Sequence, residues 1–246
     1  VRGESLDING LFQIIDVADE VNNEIQNVPS LLQKAKEIYS SKEEPAKDIG
    51  LHCRDPYDCA FWGYCTKDLP NPSVFDLYRL PFKKALDYYK NGDIGYDALV
   101  LNSNITNEKH LRQISHALSD LDTYVDKEGI RDFLDTLSYP IYFLDFETMQ
   151  PVIPEYKGTK PYQQIPFQYS LHYIEKEGSE LHHKEFLAES GLDPRRALAE
   201  QLCEDIPMNV CVTAYNKSFE CSRIKELAEA FPDLAEHLLN IQSNIK

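Results

Sequence analysis

The sequence lacks long apolar runs. No stretch approaches the roughly 20 consecutive apolar residues that a membrane-spanning helix needs, and the first residues, 1–4, lack the basic-then-apolar pattern of a secretory signal. We therefore expect a cytoplasmic protein with no membrane partner. In that compartment the six cysteines are expected to be reduced thiols or metal ligands rather than disulfides.

Positive charge is also scarce. The chain has 25 Lys and Arg residues against 41 Asp and Glu residues, and its formal net charge is −16. This balance argues against a protein that holds nucleic acid mainly by a broad basic surface. It does not exclude a nuclease, because carboxylates that hold divalent cations make an active site acidic and the metal ions supply the positive charge.

What is present suffices for a folded core. With 246 residues and 42% hydrophobic content, we expect one main domain plus additional material. We predict three regions: a cysteine-containing region over 1–68 that looks like the tail of a preceding domain, a helical linker over 69–138, and an α/β domain over 139–246. An apolar run at 11–17 is predicted to be a strand.

The pattern of elements predicts the fold class. Ser73 is a candidate helix cap, and Asp193-Pro194 is typical of a helix start. The predicted order of strand, strand, strand, helix, strand, helix after Pro140 is that of a ribonuclease-H-like core, so we expect an α/β (α+β) fold with a mixed sheet and flanking helices. Predicted helices cover 74–89, 107–121, 127–137, 194–205 and 218–230, and predicted strands cover 141–147, 165–175, 181–187 and 209–215.

Two carboxylates follow an apolar strand. Asp145 and Glu147 lie at i and i+2, so both project from one face of the strand while Phe146 projects from the other. Like charges on one face repel, and a cation between them relieves the repulsion. The plain alternative is a solvated strand end, which is what a lone Asp-x-Glu usually marks.

A second acidic position supports the metal interpretation. The strand ending near Asn216 runs into a helix that begins with Ser218-Phe219-Glu220. Placed beside the first strand, this helix brings Glu220 near Asp145 and Glu147. Three carboxylates from separate segments can hold Mg²⁺ or Mn²⁺ for two-metal phosphodiester hydrolysis.

Five ordered blocks carry a family resemblance, at residues 139–148, 161–172, 185–188, 193–196 and 214–220. On these blocks, the segment from Tyr139 onward resembles the first half of a DEDD-superfamily (DnaQ-like) 3′–5′ exonuclease domain. The whole chain resembles a bacterial family, classed as a domain of unknown function, in which a RecB-like nuclease region precedes such a domain.

The resemblance implies roles for residues. Asp145 and Glu147 would be first-motif ligands of Mg²⁺ or Mn²⁺, and Glu220 stands where the superfamily usually has Asp, with its metal contact direct or through water. The superfamily's third motif has no counterpart before Lys246, so we expect an incomplete catalytic site in this chain. The implied substrate is nucleic acid, with DNA favoured over RNA, and the sequence itself leaves the choice between them open.

Polar residues near these blocks are candidate substrate contacts. An aromatic side chain can stack on a base and amides can hydrogen-bond to it, although an ordinary polar surface is an equal alternative for the segment around Tyr162. The residues assigned to substrate binding are Thr148, Tyr162, Gln164, Gln168 and Asn216.

A cysteine cluster lies near the start of the chain. Cys53, Cys59 and Cys65 follow a C-x5-C-x5-C spacing, interleaved with aromatic residues. Thiolates suit zinc or iron–sulfur clusters, and the spacing resembles the C-terminal cysteine group of RecB-like nucleases that carry a [4Fe–4S] cluster. The fourth ligand would be an upstream cysteine, His52 or water. The alternative is that the three thiols are small buried hydrophobes.

Three functions are consistent with these features. The leading hypothesis is a metal-dependent 3′–5′ exonuclease. The second is a non-catalytic nucleic-acid-binding or scaffold module with a degenerate site, which the Glu at position 220 and the acidic composition favour. The third is a redox or structural protein built around the cysteine cluster. The sequence leaves the oligomeric state open.

Overall fold

The computed structural model describes residues 1–102 and 105–246. Its Cα positions cluster into two units, one formed by residues 16–125 and the other by residues 1–15 together with 126–246. Each unit is described by itself below.

The unit of residues 16–125 is built from helices. Ser73 caps a 3₁₀ turn at Val74–Asp76: its hydroxyl accepts from the Phe75 N–H, and the Asp76 carboxylate accepts from the Ser73 N–H. The predicted helix over 74–89 is therefore wrong in extent, because the chain leaves the turn and a new helix begins only after Pro81. The helices are α1 (Ala18–Ile25), α2 (Val28–Ser40), α3 (Trp62–Cys65), α4 (Phe82–Lys90), α5 (Tyr96–Asn102) and α6 (Glu108–Leu118), with a further 3₁₀ turn at Leu51–Cys53.

The other unit contains a mixed sheet. The strand order is β3-β2-β1-β4, with the first three strands antiparallel and β4 parallel to β1. This arrangement confirms the predicted α/β class with a mixed sheet and flanking helices. The elements are a 3₁₀ turn at Asn9–Leu11, α7 (Lys127–Leu134), β1 (Ile141–Met149), β2 (Ile165–Ile174), β3 (His182–Leu187), α8 (Pro194–Asp205), β4 (Cys211–Thr213), α9 (Lys217–Ala230) and α10 (Ala235–Ser243).

Local signals set the helix starts in this unit. The Asp193 carboxylate accepts from the Arg195 N–H at the start of α8, and Pro194 occupies the first turn, as predicted. Strand β4 is shorter than the predicted 209–215, because only Cys211–Thr213 pair with β1. Among the described residues, none of the helices combines the length and apolar character that crossing a membrane requires.

One face of the sheet is covered by helices. Tyr142, Leu144 and Phe146 alternate along β1 and are buried against residues of α8, α9 and α10. Burying a side chain of this size contributes about 1.5–3 kcal/mol, so the alternation fixes the strand's register. The core side chains from these helices include Leu198, Leu202, Ile224, Leu227, Leu238 and Ile241.

The predicted strand at 11–17 is wrong. Leu11 ends a 3₁₀ turn, and the residues after it have no regular structure up to the start of α1. Phe12, Ile14 and Ile15 are exposed. A short apolar run becomes a strand only where a neighbouring strand pairs with it, and none does here among the described residues. The assignment of regions 1–68, 69–138 and 139–246 to separate functions stays a prediction.

A buried polar network ties β2 and β3 to α8. The Tyr169 hydroxyl donates to the Asp205 carboxylate at 2.6 Å, and Lys184 Nζ donates to the other oxygen at 2.9 Å. Burial raises the pKa of Asp205, but the hydrogen bonds from Tyr169 and Lys184 outweigh it and hold the pKa below its ordinary value. Because Tyr169 is fully buried, its hydroxyl needs this acceptor.

Replacing Tyr169 by phenylalanine should destabilise the protein. Y169F removes one hydrogen bond to a buried charge, and we expect a loss of about 1.5–3 kcal/mol in the free energy of unfolding. The matched control is Y215F at a fully exposed tyrosine, which should change stability by less than about 0.5 kcal/mol. Urea unfolding of both variants measures the difference, and equal effects would contradict a stabilising role for the network.

Candidate metal centre

The two β1 carboxylates lie on the uncovered face of the sheet. Asp145 and Glu147 are exposed, whereas Leu144 and Phe146 beside them are buried. The period of two along the strand therefore separates the acidic face from the core face, as predicted.

Glu220 is buried in the first turn of α9. Only 2% of it is exposed, and its Oε2 atom has no hydrogen-bond partner within the described part of the chain. Burial raises the pKa of Glu220, and the negative charge of nearby Asp145 raises it further. A buried carboxylate with an unsatisfied oxygen beside a second carboxylate is an arrangement that a cation stabilises.

The carboxylates are not already gathered around one point. Across residues 1–102 and 105–246, no group of three or more His, Cys, Asp or Glu side chains is arranged to hold a metal ion. The negative charge of Asp145 nevertheless contributes to the raised pKa of Glu220. Like-charged carboxylates repel one another, and a divalent cation would draw them together.

The neighbouring strand β2 places polar side chains beside these carboxylates. Gln168 lies directly opposite Glu147 in the antiparallel register, and Ser170 lies opposite Asp145. Directly opposed residues share a face and have Cβ atoms about 4.5–5.5 Å apart. The predicted substrate contact Gln168 is therefore adjacent to the acidic pair. Sequence analysis missed Ser170, although its spacing of two from Gln168 on a strand was the available signal.

Arg223 connects the helix of Glu220 to the loop before β2. Its guanidinium donates to Gln164 Oε1 and, at 2.7 Å, to Glu226 Oε1. The Nε atom of Arg223 is buried without a hydrogen-bond acceptor among the described residues. Gln164, Arg195 and Arg223 line a cavity of about 240 Å³. This cavity offers several hydrogen-bond donors, and sequence analysis missed Arg223 although it lies one turn after Glu220.

The other predicted substrate residues are accessible to different degrees. Tyr162 is exposed and has a left-handed backbone with φ of 57°, which is costly for a residue with a Cβ atom and is often found at functional sites. Thr148 is half-buried and follows a register shift in β1. Asn216 is exposed and occupies the N-cap position of α9, but its side chain makes no capping hydrogen bond; its side-chain oxygen accepts from the Ser218 hydroxyl at 3.0 Å.

The three clustered cysteines line one cavity in the helical unit. Cys53, Cys59 and Cys65 surround a space of about 560 Å³ together with His52. His52 Nε2 lies 3.6 Å from Cys53 Sγ, so the side chains of these two consecutive residues lie close together. Cys53 is buried, Cys59 half-buried and Cys65 exposed, and all are free thiols.

Part of this cluster also behaves as hydrophobic core. Cys53 packs with Ile49 and Leu86, and Cys59 lies against the same group together with Trp62. This packing fits the interpretation as small buried hydrophobes. The absence of a metal-holding group among the described residues applies to these cysteines as well, so metal ligation stays a prediction.

Comparison with known proteins gives a family match for the sheet-containing part of the chain. Residues 142–246 match the family described as domain of unknown function DUF2779, which is less than half of the chain. The match begins at β1 and includes Asp145, Glu147 and Glu220. No curated protein and no solved structure matches the chain.

Replacing Glu220 by glutamine should stabilise the metal-free protein at neutral pH. The raised pKa means that the folded state binds the Glu220 proton more tightly than the unfolded state, so stability falls as pH rises above the ordinary value of 4.5. At about pH 7.5, E220Q should raise the melting temperature by about 2–4 °C, the shift that ~1 kcal/mol produces in a chain of this size. At about pH 3 the gain should vanish, because Glu220 is then protonated in both states.

Thermal unfolding in EDTA checks this expectation. E229Q, on the exposed side of the same helix, is the matched control and should not show the pH-dependent gain. A gain from E220Q that persists at acid pH would contradict the burial of a charged Glu220.

Proposed function

We propose that this protein is a metal-dependent 3′–5′ exonuclease that hydrolyses phosphodiester bonds of nucleic acid, with DNA as the favoured substrate. The observation that carries the proposal is the buried Glu220 carboxylate, whose Oε2 atom has no hydrogen-bond partner among the described residues and whose pKa is raised by burial and by Asp145. A lone solvated strand end, the plain alternative for Asp145 and Glu147, does not account for the buried Glu220 carboxylate.

The carboxylates fit Mg²⁺ or Mn²⁺ by their chemistry. Asp145, Glu147 and Glu220 supply only oxygen ligands, which these hard cations prefer. Cations bound there supply an activated water and neutralise charge on the leaving oxygen. Hydrolysis adds the hydroxyl of water to phosphorus and a proton to the leaving 3′ oxygen, releasing a nucleoside monophosphate.

The surrounding side chains would position the substrate. Gln168 and Ser170 lie on the same face as the acidic pair, where they can hydrogen-bond to a nucleotide. Tyr162 is exposed and offers a ring on which a base can stack. The direction of degradation follows from the resemblance to DEDD exonucleases.

A second candidate function is a non-catalytic nucleic-acid-binding module. Two observations favour it: no three-ligand group is already assembled in the described residues, and Glu stands at position 220 in place of the more usual Asp. Metal binding separates the two functions, because an exonuclease of this type must bind Mn²⁺ and a binding module need not.

Removal of either β1 carboxylate should abolish metal binding and cleavage. We expect the wild-type chain to bind Mn²⁺ and D145N and E147Q to bind it far more weakly. In protein that also supplies a third motif, cleavage of a 3′-labelled single strand should fall by at least about 100-fold in each variant, which corresponds to ~2.7 kcal/mol in the activation free energy. The loss of free Mn²⁺ signal in electron paramagnetic resonance measures binding.

The matched control is E177Q, an exposed carboxylate in the turn between β2 and β3. It should bind Mn²⁺ and cleave like the wild type. Wild-type protein that binds no Mn²⁺ at millimolar concentration would refute the exonuclease proposal and leave the binding module. Mn²⁺ binding that survives in D145N would refute the assignment of that ligand.

We also propose that the cysteine cavity holds a zinc ion or an iron–sulfur cluster. Its support is that three thiols and the His52 ring line one space. Purified protein should then contain zinc or iron, with a brown colour for an iron–sulfur cluster, and C59S should lower that content to background. C203S, at a half-buried thiol of α8, is the control. Wild-type protein without either metal after anaerobic purification would refute this proposal.

A further inference from the structure

Although the chain is acidic overall, several basic side chains lie close together at one place in the helical unit. Two adjoining hollows of about 690 and 810 Å³ share Tyr78 and Lys109 among their lining residues. We call their joint lining the basic groove; its principal side chains are Tyr78, Arg79, Lys84, Lys109, Arg112 and Tyr124.

The four basic side chains of the groove are free to bind a ligand. All are exposed, and in the part of the chain that the structure describes none of them forms an ion pair. Against them, the described residues that line the hollows include two acidic side chains, Glu108 and Asp122. The groove is therefore locally cationic in a chain whose net charge is −16.

Aromatic rings alternate with these cations. Tyr78 is 51% exposed and Tyr124 is 46% exposed. The guanidinium carbon of Arg112 lies 3.9 Å from the ring centroid of Tyr124, and that of Arg79 lies 5.1 Å from the ring centroid of Tyr78. Exposed rings next to cations are the surface on which single-stranded bases stack while their phosphates are neutralised.

The loop that carries Tyr78 and Arg79 is held in place by α6. The Tyr78 N–H donates to Gln113 Oε1 at 2.9 Å, and His110 Nε2 donates to the Tyr78 carbonyl oxygen at 2.9 Å. Arg79 has a left-handed backbone with φ of 53°, which an arginine adopts only when its surroundings fix it. The two side chains are thus presented by a preorganised loop, which reduces the ordering that binding requires.

We propose that the basic groove binds a single strand of nucleic acid, with phosphates on the four cations and bases stacked on Tyr78 and Tyr124. A duplex does not fit this chemistry, because its bases are already stacked on one another and cannot reach the tyrosine rings. The groove lies entirely within residues 16–125, needs no metal ion, and does not depend on the proposed cleavage activity.

Fluorescence anisotropy of a labelled thymidine oligonucleotide of about 20 nucleotides tests the proposal. The titration is done in EDTA at about 50 mM salt, where cleavage at the metal centre is excluded and phosphate contacts are strong. Wild-type protein should bind, and K84E combined with K109E should weaken binding at least about tenfold. Loss of two phosphate contacts should also reduce the slope of log affinity against log salt by about 1.4.

The charge-matched control is K34E combined with K36E, two exposed lysines of α2 outside the groove. It changes the net charge equally and should weaken binding less than about twofold. Y78A should weaken binding about tenfold by removing a stacking platform, whereas Y78F keeps the ring and should bind like the wild type. Circular dichroism verifies that each variant is folded.

Three outcomes would overturn the proposal: no binding by the wild type, an equal loss in the control pair, or duplex binding as tight as that of the single strand. A uridine oligonucleotide of the same length distinguishes the two sugars, and binding of either strand supports the groove. Wild-type protein that binds the single strand in EDTA but shows no cleavage with Mn²⁺ would count against the exonuclease and not against the groove.

Discussion

Strand β1 has a hydrogen-bonded neighbour on each side, and this constraint organises the whole sheet-containing unit. Its backbone must pair with antiparallel β2 and with parallel β4, while its side chains alternate between the helix layer and the uncovered face. A slip of one residue would bury Asp145 and Glu147 and expose Leu144 and Phe146. The burial of the apolar set therefore determines where the carboxylates lie, and the chemistry of the uncovered face follows from the packing of the covered one.

The same constraint explains why Glu220 is the unusual member of the acidic group. Helix α9 follows β4, and β4 is fixed beside β1 by only three paired residues. The first turn of α9 therefore lies close to β1, and Glu220 is buried where an apolar residue would be more stable in a protein without a functional site. A buried carboxylate that remains unsatisfied is a cost to folding. Such a cost is typical of residues retained for binding rather than for stability.

Much of the sheet-containing unit follows from its sequence, and much of the helical unit does not. The alternation in 141–147 and the Asp193-Pro194 cap are local signals, so they predicted β1 and α8 correctly. The strand predicted at 11–17 was wrong, because a strand forms only beside a neighbouring strand, and the local sequence does not reveal whether one is present. Arg223 and the basic groove were missed for a similar reason: residues 78–84 and 109–124 form one surface only after α6 packs beside the loop of Tyr78.

The chain can be acidic overall and still bind a polyanion, because electrostatic interactions between surface charges act only over a short distance. At physiological salt, charges on the surface are screened beyond roughly 8 Å. A phosphate in the basic groove therefore interacts mainly with the cations that line it, and the distant carboxylates that make the net charge −16 contribute little. Net charge affects the rate at which a polyanion associates with the protein, whereas the local arrangement of basic side chains and aromatic rings determines how tightly it is bound. The low count of Lys and Arg excludes a broad basic surface and is consistent with a narrow one.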